Sequence, residues 1–260
     1  MTNAFERHSV DHLSPSAINS WINSPSLFVL ERLLKFRGQM GASAHRGTAT
    51  EAGVSIGLFD HGATLEACVT AALPVFDKLT ALSGDPKREA ERAVIPGMIK
   101  QGLTLREHGL PFTPNEEGRF GAAAPQHKVE IRLEGVDVPV IGYLDWLYAE
   151  EVLDLKTTQR IPSSMSPTHR RQATVYKVGN MDRRVRFCYV SEKKIEKHTL
   201  TREEFDISLV ELTGASQRLE RFLSLSDDPL ELAALVPHGT DNFYWSDAAT
   251  AAKGREVFGY

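Results

Sequence analysis

The chain has 260 residues, 42% hydrophobic and 25% charged, an ordinary globular composition with enough apolar mass for a sizeable core. Disorder, collagen and a disulfide-stapled miniprotein are excluded. Its 30 Lys and Arg against 34 Asp and Glu exclude a protein that coats DNA by bulk charge, but not an enzyme with a local basic patch.

The first 110 residues read as helical. Ser14-Pro15, an N-cap followed by proline at the first helical position, opens a helix through Ile22. Ser24-Pro25 repeats the signal. A helix over 46–59 is expected to stop near Gly62 as its C′ residue. Another spans 65–82 with Pro74 as a kink, and Asp85-Pro86 opens one interrupted at Pro96. After Gly121 the texture changes. Val129, Ile131 and Leu133 alternate with charged residues, the period of a half-buried strand. Strands are predicted over 138–148 and 152–157, joined by a tight turn at Ala149-Glu150. A helix from Ser166-Pro167 to Gly179, strands at 185–189 and 195–200, and a helix from the capping box Thr201-x-x-Glu204 through Leu223 complete the chain. The order predicts a mixed α/β (α+β) fold. It divides into a mainly helical portion 1–120, a sheet core 121–200 and a C-terminal helix and tail 201–260, in one compact domain.

Charge is uneven. Residues 168–198 hold nine Lys and Arg against three Asp and Glu, while 121–167 hold four against seven. The pattern is either a solvated surface or a phosphate-contacting face beside a carboxylate cluster. Cys68 and Cys188 are the only cysteines, too few for a four-cysteine zinc site or iron–sulfur cluster. Residues 1–10 lack a signal peptide's apolar stretch, and no apolar run approaches ~18 residues. A cytoplasmic, reducing setting without membrane contact is therefore expected.

If Ala149 and Glu150 form a two-residue turn, Asp145 lies opposite Asp154, on one face of the sheet. Lys156 shares that face, two residues on. Carboxylates this close repel unless a cation neutralises them or one is protonated, and a hard cation such as Mg²⁺ or Mn²⁺ suits oxygen ligands. The competing reading is an exposed Asp-x-Lys on an edge strand. The apolar flanks Leu144, Trp146, Leu147, Val152, Leu153 and Leu155 argue for burial and a site.

Gly142-Tyr143-Leu144-Asp145 followed by Asp154-Leu155-Lys156-Thr157 resembles motifs II and III of the PD-(D/E)xK nucleases, in their RecB-like exonuclease branch. Gln172-Ala173-Thr174-Val175-Tyr176 resembles that branch's QxxxY motif, and Gly47-Thr48-Ala49-Thr50-Glu51 its GxxxH/E motif. Leu13-Ser14-Pro15-Ser16 with Ser24-Pro25-Ser26-Leu27-Phe28 resembles its opening. The resemblance implies a restriction-endonuclease-like core and a metal-dependent DNA exonuclease acting at DNA ends in recombination or repair, in a phage or mobile-element setting. A structure-specific or restriction-like endonuclease and a non-catalytic DNA-binding subunit are the alternatives. It implies Glu51, Asp145, Asp154 and the carbonyl of Leu155 as ligands of Mg²⁺ or Mn²⁺. Lys156 would position and activate water, with Gln172 and Tyr176 orienting the site and the strand. DNA contacts would come from Ser14, Ser16, Arg170, Arg171, Gln172, Tyr176, Arg184 and Arg186. A homo-oligomer or a recombination protein is the further partner. A first-turn helix acid remains the competing reading of Glu51, and helix packing that of Gln172 and Tyr176. Ser24 stands where many members of the branch carry an iron–sulfur cysteine, so no cluster is expected, and Phe243, Tyr244 and Trp245 are left to anchor the tail.

Two other motifs compete. Gly53-Val54-Ser55-Ile56-Gly57 matches the nucleophile elbow of a serine hydrolase, which needs a strand, a sharp turn and a helix. His8 and His12 are four apart without the glutamate of a zinc protease, and read as surface residues near a loose N-terminus.

Overall fold

A computed structural model describes residues 3–114, 119–120, 125–238 and 245–259. Helices α1 (Ala4–Arg7), α2 (Pro15–Asn23) and α3 (Pro25–Phe28) lead into a π-helical turn over Val29–Leu33. Helices α4 (Ala42–Phe59), α5 (Leu65–Leu79), α6 (Arg88–Ala93) and α7 (Ile95–Gly102) follow, then a 3₁₀ stretch over Leu103–His108. Strands β1 (Arg119–Phe120), β2 (Pro125–Ile131), β3 (Val140–Leu144), β4 (Trp146–Leu147) and β5 (Glu151–Thr157) precede helix α8 (Pro167–Gly179). Strands β6 (Arg184–Val190) and β7 (Ile195–Thr199) and helices α9 (Arg202–Leu223), α10 (Pro229–Ala233) and α11 (Ala248–Phe258) finish the chain. The fold is mixed α/β, with sheets ordered β1-β2-β3 and β4-β5-β6-β7. No helix among the described residues is long and apolar enough to cross a membrane.

The chain forms two compact units that cut across the linear partition at 120 and 200. One comprises Met1–Gln39, Glu130–Gly142 and Arg202–Tyr260, the other Met40–Val129 and Tyr143–Thr201.

In the first unit, Ser14 caps α2 as predicted, its hydroxyl accepting from Ala17 N at 3.1 Å. The N-terminus is tied down rather than loose. His8 is buried, with Nε2 3.1 Å from Leu223 O and 3.0 Å from Ser226 O, and Arg7 pairs with Asp227 at 2.6 Å. Trp245 packs on Leu27 and Leu30 and donates from Nε1 to Ser24 Oγ at 3.3 Å. Apolar packing and one hydrogen bond thus hold Trp245 to Leu27, Leu30 and Ser24. Phe243 and Tyr244 lie outside the described residues.

In the second unit, α4 starts four residues earlier than predicted and its C-cap is Asp60 rather than a glycine. Gly62 instead donates its N–H to Asp60 Oδ1 at 2.8 Å, a side-chain turn. Gly47, Gly53 and Gly57 let α4 pack closely. A Cβ at Gly53 would lie 2.6 Å from Ile99 Cδ1 and 2.9 Å from Cys68 O, and one at Gly47 3.3 Å from Thr157 Oγ1. Ser55 lies inside this helix, buried and accepting from Trp146 Nε1 at 3.0 Å. No strand or elbow surrounds it, so the hydrolase motif is a packing feature. Helix α5 ends at Leu79, short of 82, with Pro74 inside it.

The turn register is as predicted: Trp146 pairs with Leu153 and Leu147 with Val152. The expected continuous strand 138–148 is instead broken at Asp145, a bend between β3 and β4. Asp145 therefore does not pair with Asp154 in a ladder. Strand β6 returns parallel to β5 after α8, setting Asp154 beside Phe187 and Lys156 beside Tyr189. The apolar core gathers Leu58, Phe76, Ile95, Met98, Trp146, Leu153 and Cys188.

Candidate active site

Glu51, Asp145, Asp154, Lys156, Gln172 and Tyr176 all belong to the second unit, and they converge. Asp145 is 5% exposed and Asp154 1%. The bend frees the Asp145 side chain to reach the neighbouring strand, where Oδ2 accepts from Leu155 N at 2.7 Å. Leu155, expected to contribute its carbonyl, thus contributes its N–H to holding an acid. Asp154 points to the same face as Lys156, and the two form an ion pair. Asp154 Oδ2 is buried with no well-directed hydrogen bond. Glu51 stands in the middle of α4 rather than its first turn, which removes the capping explanation for it. Gln172 and Tyr176 share a face of α8, with Gln172 Nε2 donating to Tyr176 Oη at 2.7 Å and Tyr176 Oη to Tyr143 O at 2.6 Å.

Gathering three acids, two of them buried and one half-buried, disfavours their charged forms. Burial, then the Asp154 charge, pushes Glu51 up to about 7. Burial, then Glu51 and Asp154, raises Asp145 well above the ordinary carboxylate range. Burial raises Asp154 against the opposing pull of Lys156. Burial disfavours the Lys156 ammonium too, but Asp154 and Asp145 outweigh it and hold Lys156 above its ordinary value.

Sequence reasoning missed two parts of the site. Gln126 on β2 donates from Nε2 to Glu51 Oε1 at 2.8 Å and to Asp145 Oδ1 at 2.9 Å. A lone glutamine in a strand carries no sequence signal. Tyr189 accompanies His169, whose Nδ1 is 2.7 Å from Tyr189 Oη. Burial, then Lys156, pushes His169 down to about 4, so it is neutral near pH 7. The Lys156 ammonium lies 4.8 Å from the Phe187 ring centroid. Alternation along 187–189 would have signalled this face had the parallel pairing been known.

Of the expected DNA contacts, Gln172 and Tyr176 share the unit of the acids and converge with them. Ser14 and Ser16 lie in the other unit, 2.9 Å apart. Arg171 and Tyr176 are buried, which takes them off the solvent-facing surface. Arg186 lies 3.4 Å from Glu151, committed to an acid that also holds His108 at 2.5 Å. Arg170 is half-buried and Arg184 exposed. A different basic lining occurs just past the C-terminal ends of β5 and β6. There an open cavity of about 590 Å³ is lined by Arg160, Lys193, Lys194, Gln159 and Glu192. The carboxyl ends of parallel strands are a recurrent place for ligands in α/β sheets.

The donor set fits a hard divalent cation in chemistry: two buried carboxylates and the half-buried Glu51, one oxygen left without a directed partner, and no soft ligand. Among the described residues, no three His, Cys, Asp or Glu side chains are spaced to hold a metal ion. Gln126 bridges Glu51 and Asp145, and Lys156 is against Asp154.

These shifts set a pH dependence. A carboxyl whose folded value is raised stabilises the fold below its unfolded value of 4.5 and loses that contribution as pH rises through about 7. In EDTA the melting temperature should therefore fall as pH rises from about 4.5 through about 7. Asp145→Asn should flatten the slope. A melting temperature flat or rising with pH in EDTA would contradict it.

No family model and no curated protein matches the chain. Among solved structures it is similar to the crystal structure of SSO0001, at 14% identity over 66% of this chain and 84% of that one, with a TM-score of 0.33. An overlap that weak carries no argument about function.

Proposed function

We propose that this chain is a metal-dependent deoxyribonuclease of the PD-(D/E)xK type with a restriction-endonuclease-like core. In this reading it is an exonuclease hydrolysing phosphodiester bonds at DNA ends during recombination or repair. What carries the reading is the convergence of Glu51, Asp145, Asp154 and Lys156, from α4, the β3–β4 bend and β5, at one acidic centre in which Asp145 and Asp154 are buried and Glu51 and Lys156 half-buried. Glu51, Asp145 and Asp154 would hold Mg²⁺ or Mn²⁺. A bound cation would supply Lewis-acid polarisation of the scissile phosphate and neutralise its charge. Lys156, held protonated by Asp154 and Asp145, would act as a hydrogen-bond donor. It would orient the attacking water and stabilise negative charge developing on the phosphoryl oxygens. That role replaces proton abstraction, which an ammonium cannot perform. Tyr176 and Gln172 would fix Tyr143 and so the approach to the bend. Arg160, Lys193 and Lys194 would contact backbone phosphates, a sequence-independent and salt-sensitive term. The unpaired, buried Cys68 and Cys188 suit a reducing cytoplasmic setting.

One observation favours a non-catalytic DNA-binding subunit: as placed, the acids are not spaced for one ion. The purified protein incubated with linear and covalently closed DNA in Mg²⁺, Mn²⁺ or EDTA decides between them. Degradation of linear DNA alone, abolished by EDTA, is the expected result. Cutting of closed circles would make it an endonuclease, and binding without cleavage a DNA-binding subunit.

A further inference from the structure

The residue least explained by the nuclease reading is Gln126. Its single Nε2 carries two hydrogens, and both are directed at acids: Glu51 Oε1 at 2.8 Å and Asp145 Oδ1 at 2.9 Å. Nearly equal distances put the nitrogen between two carboxylates from different elements. Such oxygens repel, and a donor shared between them lowers that repulsion as a cation would, with less charge. An amide with both hydrogens aimed inward cannot share that position with a cation, which takes its oxygens at about 2.0–2.6 Å. Gln126 is half-buried and borne on β2, beside the two-residue strand β1. Its side chain has three rotatable bonds through which to leave.

We propose that Gln126 is a positioning residue whose amide occupies the divalent-cation position between Glu51 and Asp145 and must withdraw before a cation binds both. The inference rests on the nuclease reading of the acidic centre, and it makes Gln126 a competitor of the cation rather than a ligand. Removing a competitor tightens binding, whereas removing a ligand weakens it, so the sign of one measurement decides.

The test is Mn²⁺ binding by titration calorimetry and electron paramagnetic resonance on the full chain, comparing wild type, Gln126→Ala, Gln126→Met and Asp145→Asn. Melting temperatures in EDTA and in Mn²⁺ are recorded alongside. Losing the two hydrogen bonds that hold the amide between the acids should make Mn²⁺ binding about tenfold tighter in Gln126→Ala. Its melting temperature should drop in EDTA and recover in Mn²⁺. Gln126→Met, which keeps the side-chain volume, should behave alike and guards against a packing artefact. Unchanged or weaker Mn²⁺ binding in both variants, with wild-type binding abolished by Asp145→Asn, overturns the role of Gln126 and leaves the metal site standing. No Mn²⁺ binding by wild type overturns both.

Discussion

Asp154→Asn and Lys156→Met are each expected to lower DNA cleavage by about 10³-fold or more, with DNA binding nearly unchanged. Asp154 is 1% exposed, and its Oδ2 has the Lys156 ammonium beside it but no directed hydrogen bond. Replacing that oxygen by an amide nitrogen removes a negative charge from a centre whose proposed work is to gather positive charge at a phosphate. Lys156→Met keeps most of the side-chain volume but deletes the ammonium, which lies 4.8 Å from the Phe187 ring centroid. Each change removes one partner of an ion pair and leaves the other's charge less compensated, so melting temperatures of both variants are compared with wild type to separate lost chemistry from lost fold. Single-turnover cleavage and salt-dependent binding, measured on the same preparations, separate the two effects. Cleavage retained within tenfold in either variant would remove the residue from the proposed chemistry.

A second large effect is expected away from the acids. Arg46 on α4 pairs with Glu91 on α6, both almost completely buried. Arg46 Nη2 also donates to Thr157 O and Thr157 Oγ1, at 3.2 and 3.3 Å, and Gln159 Nε2 to Glu91 at 3.2 Å. The network ties α4, which carries Glu51, to the end of β5, which carries Asp154 and Lys156. Breaking a buried pair from one side strands the other charge, so Glu91→Ala should cost about 3–5 kcal/mol of unfolding free energy. Replacing both, as Arg46→Met with Glu91→Leu, should recover most of that loss, because two apolar side chains strand no charge. Chemical denaturation of the three proteins tests this. The double variant should still cleave DNA poorly if the network also sets the Glu51–Asp154 spacing. A double variant no more stable than Glu91→Ala would show that the pair is worth more than its desolvation cost.

Much was legible in the sequence because it depends on local periodicity and short-range chemistry. Ser14-Pro15 and Ser166-Pro167 open helices at α2 and α8, where a serine hydroxyl caps the orphan N–H groups and proline needs no donor. The Ala149-Glu150 turn sets a register that pairs Trp146 with Leu153, and period two then puts Asp154 and Lys156 on one face. The i, i+4 spacing puts Gln172 beside Tyr176. What only the tertiary structure decided involves long-range contact. The break at Asp145 follows from β3 and β4 joining different sheets. It lets one side chain reach Leu155 N instead of facing Asp154, a choice that alternation alone cannot encode. The parallel return of β6 selects Phe187 and Tyr189 as neighbours of the acids. The basic residues show the same limit: their clustering over 168–198 was visible, but burial took Arg171 and an ion pair took Arg186. Gln126 was invisible because its role exists only where β2 meets a helix residue 75 positions away. Sequence fixes which groups are available and which face of an element they occupy; packing decides which of them must share a charge.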